Sequence, residues 1–495
     1  MDNLVNHSVI LAAFRDEPFG SLVAENLSLN GFKVTFAEEL NDIQSSPRGS
    51  VLGGLHARSW SQRKEGLLLS TEIGTSLDID HILASCDRVF LQPQAISDIL
   101  GYLGALGDTT LKWLSKFPSE IPIIFLATPH FPSDLVLALL AQDAGHQVFV
   151  ARTSLVDEHI WFGRLSGTQL SAIAEFHSGM TIRQQMDSAV PRRLELSREM
   201  NANLARRRWV GSRETARRFW WRFCRILLPD RANNFLGIQP LRRGPEHYWS
   251  HLGRFNMALV RLKFRIHVTL TRRVLDKSIS GQIPNRYIYV PLHFQPERST
   301  NPEGGTFRSQ IGLVRALSDF LINNPDLNLS IVVKEHPRQN SGDIRQIRQR
   351  DRRYYETLRS IPRATIVPTD ADSRSLIANA SLVASVNGSS AWEALESGVA
   401  ALTGVFTWHS GCAASPHWAS VEDEPERLRT LVNMTPEQVH SCLTDFLDSP
   451  SFLIRGSISN KHLVDRESIN QVADSMALAA AQLIRGDGVK WQKIP

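Results

Sequence analysis

The chain has 495 residues, 42% of them hydrophobic and 21% charged, with a formal net charge of +5. This length exceeds what one hydrophobic core usually serves, so we expect two domains. Apolar residues never run for the roughly 18 positions that a transmembrane helix needs. The four cysteines are scattered without the spacing of a zinc site, and the first residues show no signal-peptide pattern. These features predict a cytoplasmic protein with reduced thiols.

Residues 1–165 alternate between strand and helix signals, which predicts a Rossmann-like α/β domain. Glycines close both predicted helices, as expected of helix C-caps. The predicted strands are Ser8–Phe14, Phe32–Phe36, Asp87–Leu91, Ile121–Leu126 and Gln147–Val150, and the helices are Ser21–Asn30 and Pro132–Ala144.

Residues 166–280 show a different sequence pattern, because strand signals give way to long basic and aromatic helical stretches. Residues 192–273 hold 20 Lys and Arg against 5 Asp and Glu. In residues 206–228, Trp, Phe and Leu alternate with Arg, a pattern that suits a helix at an anionic membrane surface. A helical linker packed between two domains explains the same pattern. Nucleic-acid binding is the weakest interpretation, because no recognised motif accompanies the charge.

From residue 281 the α/β alternation resumes, and two similar strand–turn units stand out. Leu329–Val333 is a predicted strand followed by Lys334–Arg338. Leu382–Val386 is a second strand, followed by Asn387–Ser390 and a helix that ends at Gly398. Because ligands of open parallel sheets bind beyond the carboxyl ends of the strands, both turns should face one crevice.

The chemistry of these turns fits a phosphate. Ser389 and Ser390 lie where a helix begins, at the positive end of its dipole. Asn387 and Gly388 can adopt left-handed backbone, which lets the main chain approach an anion. The other turn supplies the following groups: the imidazole of His336, the rigid Pro337, and the positive charges of Lys334 and Arg338. The alternative is a plain helix cap and a histidine at a loop edge.

The motifs of both turns resemble bacterial capsule-synthesis glycosyltransferases, including the β-Kdo transferases, and bacterial sialyltransferases of the two-domain GT-B type. Lys334-Glu335-His336-Pro337 resembles their HP motif, and Asn387–Leu395 resembles their paired-serine motif. Residues 291–300 resemble a PLHxQPE segment, and Thr128-Pro129-His130 an acceptor-domain loop. The resemblance implies that His336, Ser389 and Ser390 hold the phosphate of a CMP-sugar, with Glu393 on its ribose.

Further candidates follow strand ends. Glu297 could orient the sugar or act on the acceptor, and Arg298 could bind a sugar carboxylate. Gln295 belongs to the same donor-side loop, and His130 is the catalytic candidate of the opposite domain. Internal loop contacts are the alternative role for each, and the catalytic base stays unassigned. His409 is expected to line the donor pocket.

No metal site is expected. Asp370-Ala371-Asp372 matches the Asp-x-Asp pattern of a metal-binding motif. It precedes a predicted helix at Ser373, however, so a helix cap is the better interpretation. A CMP donor carries one phosphate, which basic residues and a helix N-terminus can neutralise. We expect no cofactor, only a nucleotide-sugar substrate.

Together these features predict an α/β fold of GT-B type: two Rossmann-like domains facing a crevice, with a helical basic insertion between them. The expected parts are an acceptor domain (1–165), the insertion (166–280), a nucleotide-sugar domain (281–420), and C-terminal helices that pack back across the domains (421–495). The predicted function is sugar transfer, with CMP-Kdo as favoured donor, to a polysaccharide or lipid-linked glycan at the inner face of the cytoplasmic membrane. Glycerophosphate transfer from CDP-glycerol, UDP-sugar epimerisation and a non-catalytic assembly role remain open.

Overall fold

The computed structural model describes residues 8–12, 17–37, 96–129, 132–155, 159–176, 179–188, parts of 266–279, 282–295, 297, 299–301, 303–337, 339, 349–422, 424–456, 466–486 and 488–494. Within these ranges the chain forms two α/β units, each built on its own sheet. The strands are β1 (Ser8–Ala12), β2 (Lys33–Phe36), β3 (Ile123–Phe125), β4 (Val148–Thr153), β5 (His159–Ser166), β6 (Gln169–Phe176), β7 (Tyr287–Pro291), β8 (Ser330–Lys334), β9 (Ala364–Val367), β10 (Leu382–Ser385), β11 (Ala401–Thr403), β12 (Ile454–Arg455) and β13 (Val489–Lys493). The helices are α1 (Glu17–Leu29), α2 (Ile96–Leu114), α3 (Pro132–Asp143), α4 (Ile182–Ser188), α5 (Gln310–Asn323), α6 (Arg352–Ser360), α7 (Ser373–Ala378), α8 (Ser389–Glu396), α9 (Pro425–Val432), α10 (Pro436–Leu447) and α11 (Arg466–Arg485).

The first sheet has the order β13-β6-β5-β4-β3-β1-β2, with β12 paired to β5. Its strands β1 to β4 run parallel, and β5, β6 and β13 extend the sheet in antiparallel fashion. The parallel strands β1, β3 and β4 are largely apolar and buried, as expected where helices cover both faces of a sheet.

The sequence-predicted boundary at residue 165 is wrong. β6 follows β5 after a two-residue turn and pairs with it, so the first unit continues past this point. The prediction missed β6 because Ser171, Ala172 and Ala174 have little intrinsic strand preference. Pairing with β5 on one side and β13 on the other makes this segment a strand.

The second sheet is entirely parallel, in the order β11-β10-β7-β8-β9. Its first strand, β7, is therefore central, with later strands added on both sides, which is the Rossmann arrangement. The direction of winding reverses between β7 and β10. Ligands of doubly wound sheets bind at this topological switch point, beyond the carboxyl ends of the strands.

The C-terminal part of the chain serves both units. Helices α9 and α10 bury Leu428 and Val439 in the core of the second unit. Helix α11 then crosses to the first unit, where it packs on α1, and Val472 and Met476 belong to the same buried cluster as Val9 of β1. β13 finally adds a strand to that sheet, so residues 421–495 contribute strands as well as the predicted helices.

The two units also share a core. Trp161 of β5 and Ile173 of β6 belong to the same buried cluster as the second sheet and its helices. The indole of Trp161 contacts Phe406 and Phe452, with ring centroids 6.0 Å and 6.5 Å apart. The space between the two sheets is therefore bounded by residues of both units.

Candidate functional site

The switch point of the second sheet brings a histidine against a serine turn. His293 follows β7, and Ser385 is the last residue of β10, its neighbouring strand. The Nε2 atom of His293 lies 2.9 Å from Ser385 Oγ, and its Nδ1 atom lies 3.3 Å from Ser299 Oγ. This buried histidine lies in the PLHxQPE-like loop, but the sequence interpretation gave it no role.

The hydrogen bonds determine the tautomer of His293. Burial lowers the pKa of His293 to about 3, so the ring is neutral. The single hydroxyl proton of Ser299 goes to Glu297 Oε2 at 3.1 Å, so Nδ1–H of His293 must donate to Ser299. Nε2 therefore accepts from Ser385, whose oxygen in turn accepts from the Gly388 N–H at 3.0 Å. A directional chain of four hydrogen bonds thus runs from Gly388 to Glu297.

Gly388 is required for space, not for a left-handed backbone. It is the N-cap residue of α8 with φ −96° and ψ 159°, an extended conformation, and Asn387 is not left-handed either, so that expectation was wrong. A β-carbon at Gly388 would lie 2.8 Å from Ser385 Oγ and 3.0 Å from His293 Nε2. Only glycine lets the turn approach the His293–Ser385 pair.

The N-terminus of α8 opens from this turn. Ser389 is the first residue of the helix, and its hydroxyl donates to Glu393 Oε1 at 3.1 Å. The Asn387 amide donates to Glu303 Oε2 at 3.0 Å. First-turn N–H groups have no partner within a helix, and the helix dipole favours an anion beside them. The start of α8 thus provides the helix N-terminus on which the predicted anion site depends, and the anion site stays a prediction.

A cleft of about 300 Å³ lies in front of this turn. The second unit contributes Asn387, Gly388, Ser389, Glu393, Ser299, Glu303 and the segment Phe406–His409 to its wall. The first unit contributes the end of β4 and the residues just after it, together with Trp161. His409 lines the cleft as predicted; burial lowers its pKa to about 3, and its Nδ1 atom lies 2.9 Å from Ser415 Oγ.

The HP turn lies one strand away from this cleft. β7 stands between β8 and β10, so His336 and Ser389 come from strands that are not adjacent. His336 is half-buried, packs its ring 5.7 Å from that of Phe294, and lies close enough to His293 to lower the pKa of His293 further. The imidazole hydrogen-bonded to the serine turn is that of His293. Among the described lining residues, neither His336 nor Pro337 nor Ser390 occurs.

Lys334 and Gln295 are engaged inside the protein. The ammonium of Lys334 donates to Ser373 Oγ at 2.6 Å at the start of α7, and burial lowers its pKa. The Gln295 side chain donates to Thr300, and its main chain bonds with Gln339. These contacts do not support the donor-binding role that the sequence predicted for either residue.

The remaining candidates divide into two groups. Glu297 is exposed and is not among the residues that line the cleft, but its carboxylate accepts a hydrogen bond from Ser299, which does line it. His130, Arg298 and Arg338 lie outside the described residues, as does the basic stretch 206–228. Asp372 caps α7 by accepting the Ser375 N–H at 3.0 Å, which confirms the cap interpretation of residues 370–372.

Within the described part of the chain, no cluster of His, Cys, Asp and Glu side chains is arranged to hold a metal ion. In those same ranges no helix combines the length and the apolar character that a membrane span requires.

A family model of capsule polysaccharide biosynthesis proteins matches residues 256–408. The matched segment contains the HP turn, the paired-serine turn and the loop that carries His293. The predicted resemblance to capsule polysaccharide biosynthesis proteins is confirmed over this segment. The matched segment thus supplies most of the second unit's wall of the cleft. Residues 1–255 and 409–495 lie outside the match. A comparison with curated proteins returned no match.

Several solved structures align along most of the chain. UDP-GlcNAc 2-epimerase from Methanocaldococcus jannaschii shares 13% identity over 87% of this chain and 92% of that one, with a TM-score of 0.22. A UDP-forming α,α-trehalose-phosphate synthase from Burkholderia vietnamiensis shares 9% identity over 97% and 100%, with a TM-score of 0.29. Similarity at this level carries no argument about function. Two α/β units with separate sheets, whose residues together line one cleft, form the arrangement expected of the GT-B type.

Proposed function

We propose that this protein is a glycosyltransferase of bacterial surface polysaccharide biosynthesis. Its favoured donor is a CMP-linked acidic sugar such as CMP-Kdo, and its acceptor is a glycan or glycolipid. One observation carries the proposal: the N-terminus of α8 opens into a cleft walled by both α/β units. The match of residues 256–408, which include that helix, to a family of capsule polysaccharide biosynthesis proteins supports the choice of polysaccharide synthesis.

The proposed roles follow from the position of each group in the cleft. The N–H groups at the start of α8 and the Ser389 hydroxyl hold the donor phosphate. Glu393, one turn into the helix, accepts hydrogen bonds from the ribose hydroxyls. His293 acts as a positioning residue, since its hydrogen bond to Ser385 sets the turn that presents α8.

The proposed reaction breaks the bond between the anomeric carbon and the phosphate oxygen. The acceptor hydroxyl oxygen forms the new bond to the anomeric carbon, and CMP leaves with the electron pair. The hydroxyl proton passes to a general base, for which Glu297 is the candidate through Ser299. Because the leaving group carries a single phosphate beside a helix N-terminus, we propose that transfer needs no metal. Turnover that stops in EDTA and returns with Mg²⁺ would contradict this.

The first experiment is a thermal-shift series with CMP, CDP, UDP and GDP. A ligand that binds only the native state raises its stability by RT ln(1 + [L]/Kd), so CMP at about 100 times its Kd should add about 2.7 kcal/mol. Ser389→Ala should reduce the shift. Ser360→Ala is the control, since the Ser360 hydroxyl bonds only within the exposed end of α6.

Product analysis separates the alternatives. CMP released together with a lengthened acceptor supports glycosyl transfer. Glycerophosphate on the acceptor with CDP-glycerol, or an epimerised UDP-sugar without acceptor, would instead identify the other reactions open to this fold. A protein that shifts with no nucleotide and transfers nothing would be a non-catalytic assembly protein.

A further inference from the structure

The cleft contains one basic side chain among the residues that the structure describes, and it comes from the first unit. Arg152 of β4 lines the cleft, whereas Lys334 is not among the lining residues and its ammonium donates to Ser373 at the start of α7. The two carboxylates of the lining, Glu303 and Glu393, accept hydrogen bonds from Asn387 and Ser389. An anionic ligand in this cleft therefore meets carboxylates and a helix N-terminus on one wall and a guanidinium on the other.

The fold holds Arg152 in place. Arg152 pairs in register with Trp161 of β5, so both side chains lie on the same face of the sheet. Its guanidinium carbon lies over the Trp161 ring, 5.7 Å from the centroid, and the residue is only 8% exposed. Trp161 in turn contacts Phe406 of the second unit. The aromatic contact positions the charge at the junction of the two units.

The donors of a guanidinium lie in its plane, and the contact with the Trp161 ring restricts where that plane can lie. That geometry suits two oxygens of one carboxylate or one phosphate, bound bidentately. A guanidinium also stays charged at every physiological pH. The first unit thus brings a permanent, oriented cation to a cleft whose opposite wall presents the N-terminus of α8.

We propose that Arg152 binds an anionic group of the nucleotide-sugar donor, so that the donor is held by both units at once. This inference rests on the proposed function. The bound group is either the donor phosphate or the carboxylate of an acidic sugar, which present the same pair of oxygens to a guanidinium. Arg152 is then a binding residue on the wall that the sequence assigned to the acceptor.

The test compares two probes and three variants by isothermal titration calorimetry. CMP carries only the phosphate, whereas CMP-N-acetylneuraminic acid also carries a sugar carboxylate. Arg152→Gln should weaken binding by about 10- to 100-fold, the range expected for a lost hydrogen bond to a charged group. Arg152→Lys, which keeps the charge but loses the bidentate geometry, should fall between Arg152→Gln and wild type.

Arg164→Gln is the matched control. Arg164 of β5 also lies over an indole, with its guanidinium carbon 4.4 Å from the Trp491 centroid, but it does not line the cleft. Removing its charge should leave both affinities unchanged. Thermal unfolding of all variants checks that Arg152→Gln remains folded. If Arg152→Gln does not fold, the affinities of Arg152→Lys for the two probes provide the test.

The pattern of losses identifies the bound group. Equal weakening of both probes by Arg152→Gln assigns Arg152 to the phosphate, and weakening of the sugar nucleotide alone assigns it to the carboxylate. Unchanged affinity for both probes, with the wild type binding normally, overturns the inference and leaves the proposed function intact. A wild-type protein that binds no nucleotide contradicts the proposed function, and this inference with it.

Discussion

At the residue scale, the turn between β10 and α8 depends on atoms that approach each other closely. Gly388 has no room for a side chain, because Ser385 and His293 occupy the space beside its α-carbon. The same two side chains carry the hydrogen-bond chain that ends at Glu297. A change at Gly388 therefore acts on the position of α8 and on His293 together.

We expect Gly388→Ala to lower nucleotide affinity at least tenfold. The added methyl group must displace Ser385 or the turn, at a cost of about 1–3 kcal/mol for overpacking. Gly107→Ala is the control, since a β-carbon at Gly107 in helix α2 meets nothing within 4 Å, and alanine should stabilise that helix. Calorimetric binding of CMP with thermal unfolding measures both effects. Normal affinity in Gly388→Ala would show that the turn is not part of the site.

His409 makes stability depend on pH. Its folded-state pKa of about 3 lies below the ordinary value of 6.5, because the buried ring is kept neutral. The unfolded chain therefore takes up a proton below about pH 6.5 while the folded protein does not. The free energy of unfolding therefore has its full value above about pH 6.5. Below that pH, His409 lowers it by about 1.4 kcal/mol per pH unit.

His409→Asn should make the stability profile less steep. Between pH 6.5 and 5, we expect the free energy of unfolding of the variant to fall by about 1.4 kcal/mol per pH unit less than that of the wild type. Urea unfolding at several pH values measures the slope. His293 has a similarly lowered pKa and keeps its contribution in both proteins. Parallel profiles would mean that His409 titrates normally in the folded state.

At the scale of elements, a buried ion pair joins the ends of β7 and β8 to helix α6. Arg350 Nε lies 3.1 Å from Glu335 Oε2, and the two side chains are 3% and 1% exposed. Tyr355 of α6 donates to the same carboxylate at 2.7 Å, and Arg350 donates to the His293 carbonyl at 3.2 Å. Arg350 thus holds the loop that carries His293 directly, and it holds the loop that carries His336 through Glu335.

Arg350→Met should destabilise the protein strongly. It leaves Glu335 buried without its counter-charge, which typically costs about 3–5 kcal/mol. Arg352→Met is the control, because Arg352 pairs with Glu356 at 2.6 Å in an exposed i,i+4 bridge that contributes less than about 1 kcal/mol. Chemical unfolding compares the two. A loss in Arg350→Met as small as in the control would show that the buried Arg350–Glu335 pair contributes little to stability.

At the scale of the whole molecule, the wall of the cleft combines two parts of the chain that are distant in sequence. The end of β4 and Trp161 come from the first unit, and the α8 turn comes from the second. Trp161 belongs to the core of the second unit, so the two sheets are joined by apolar packing as well as by any bound ligand. A substrate held by both walls would therefore add to contacts that already exist.

The basic stretch 206–228 is predicted to bring the molecule to a membrane surface. Vesicles containing anionic lipid should co-sediment with the protein, and added salt should release it. Arg217→Gln with Arg218→Gln should weaken binding by about fivefold per charge, the value expected for about 1 kcal/mol each. Neutral vesicles are the control. Binding that ignores salt and both substitutions would favour the linker interpretation.

Much of the second unit could be predicted from local patterns. The strands β8 and β10 and the helix cap at Asp372 were located to within about one residue, because each strand is an apolar run bounded by turn residues. β6 was missed because its small residues carry a weak signal and its pairing partners are distant in sequence. Residue type and spacing therefore identified elements whose stability is mainly local.

The sequence by itself determined that two α/β units exist and that a serine turn opens a helix at a strand end, since hydrophobic periodicity and turn chemistry act over short stretches. Only the tertiary structure decided which strands are neighbours. It placed β7 between β8 and β10, so that His293, not His336, meets Ser385 across 92 positions of the chain. It also brought Arg152 to the cleft. Strand order and domain packing arise from hydrogen bonds and apolar contacts between distant residues, which no local pattern encodes.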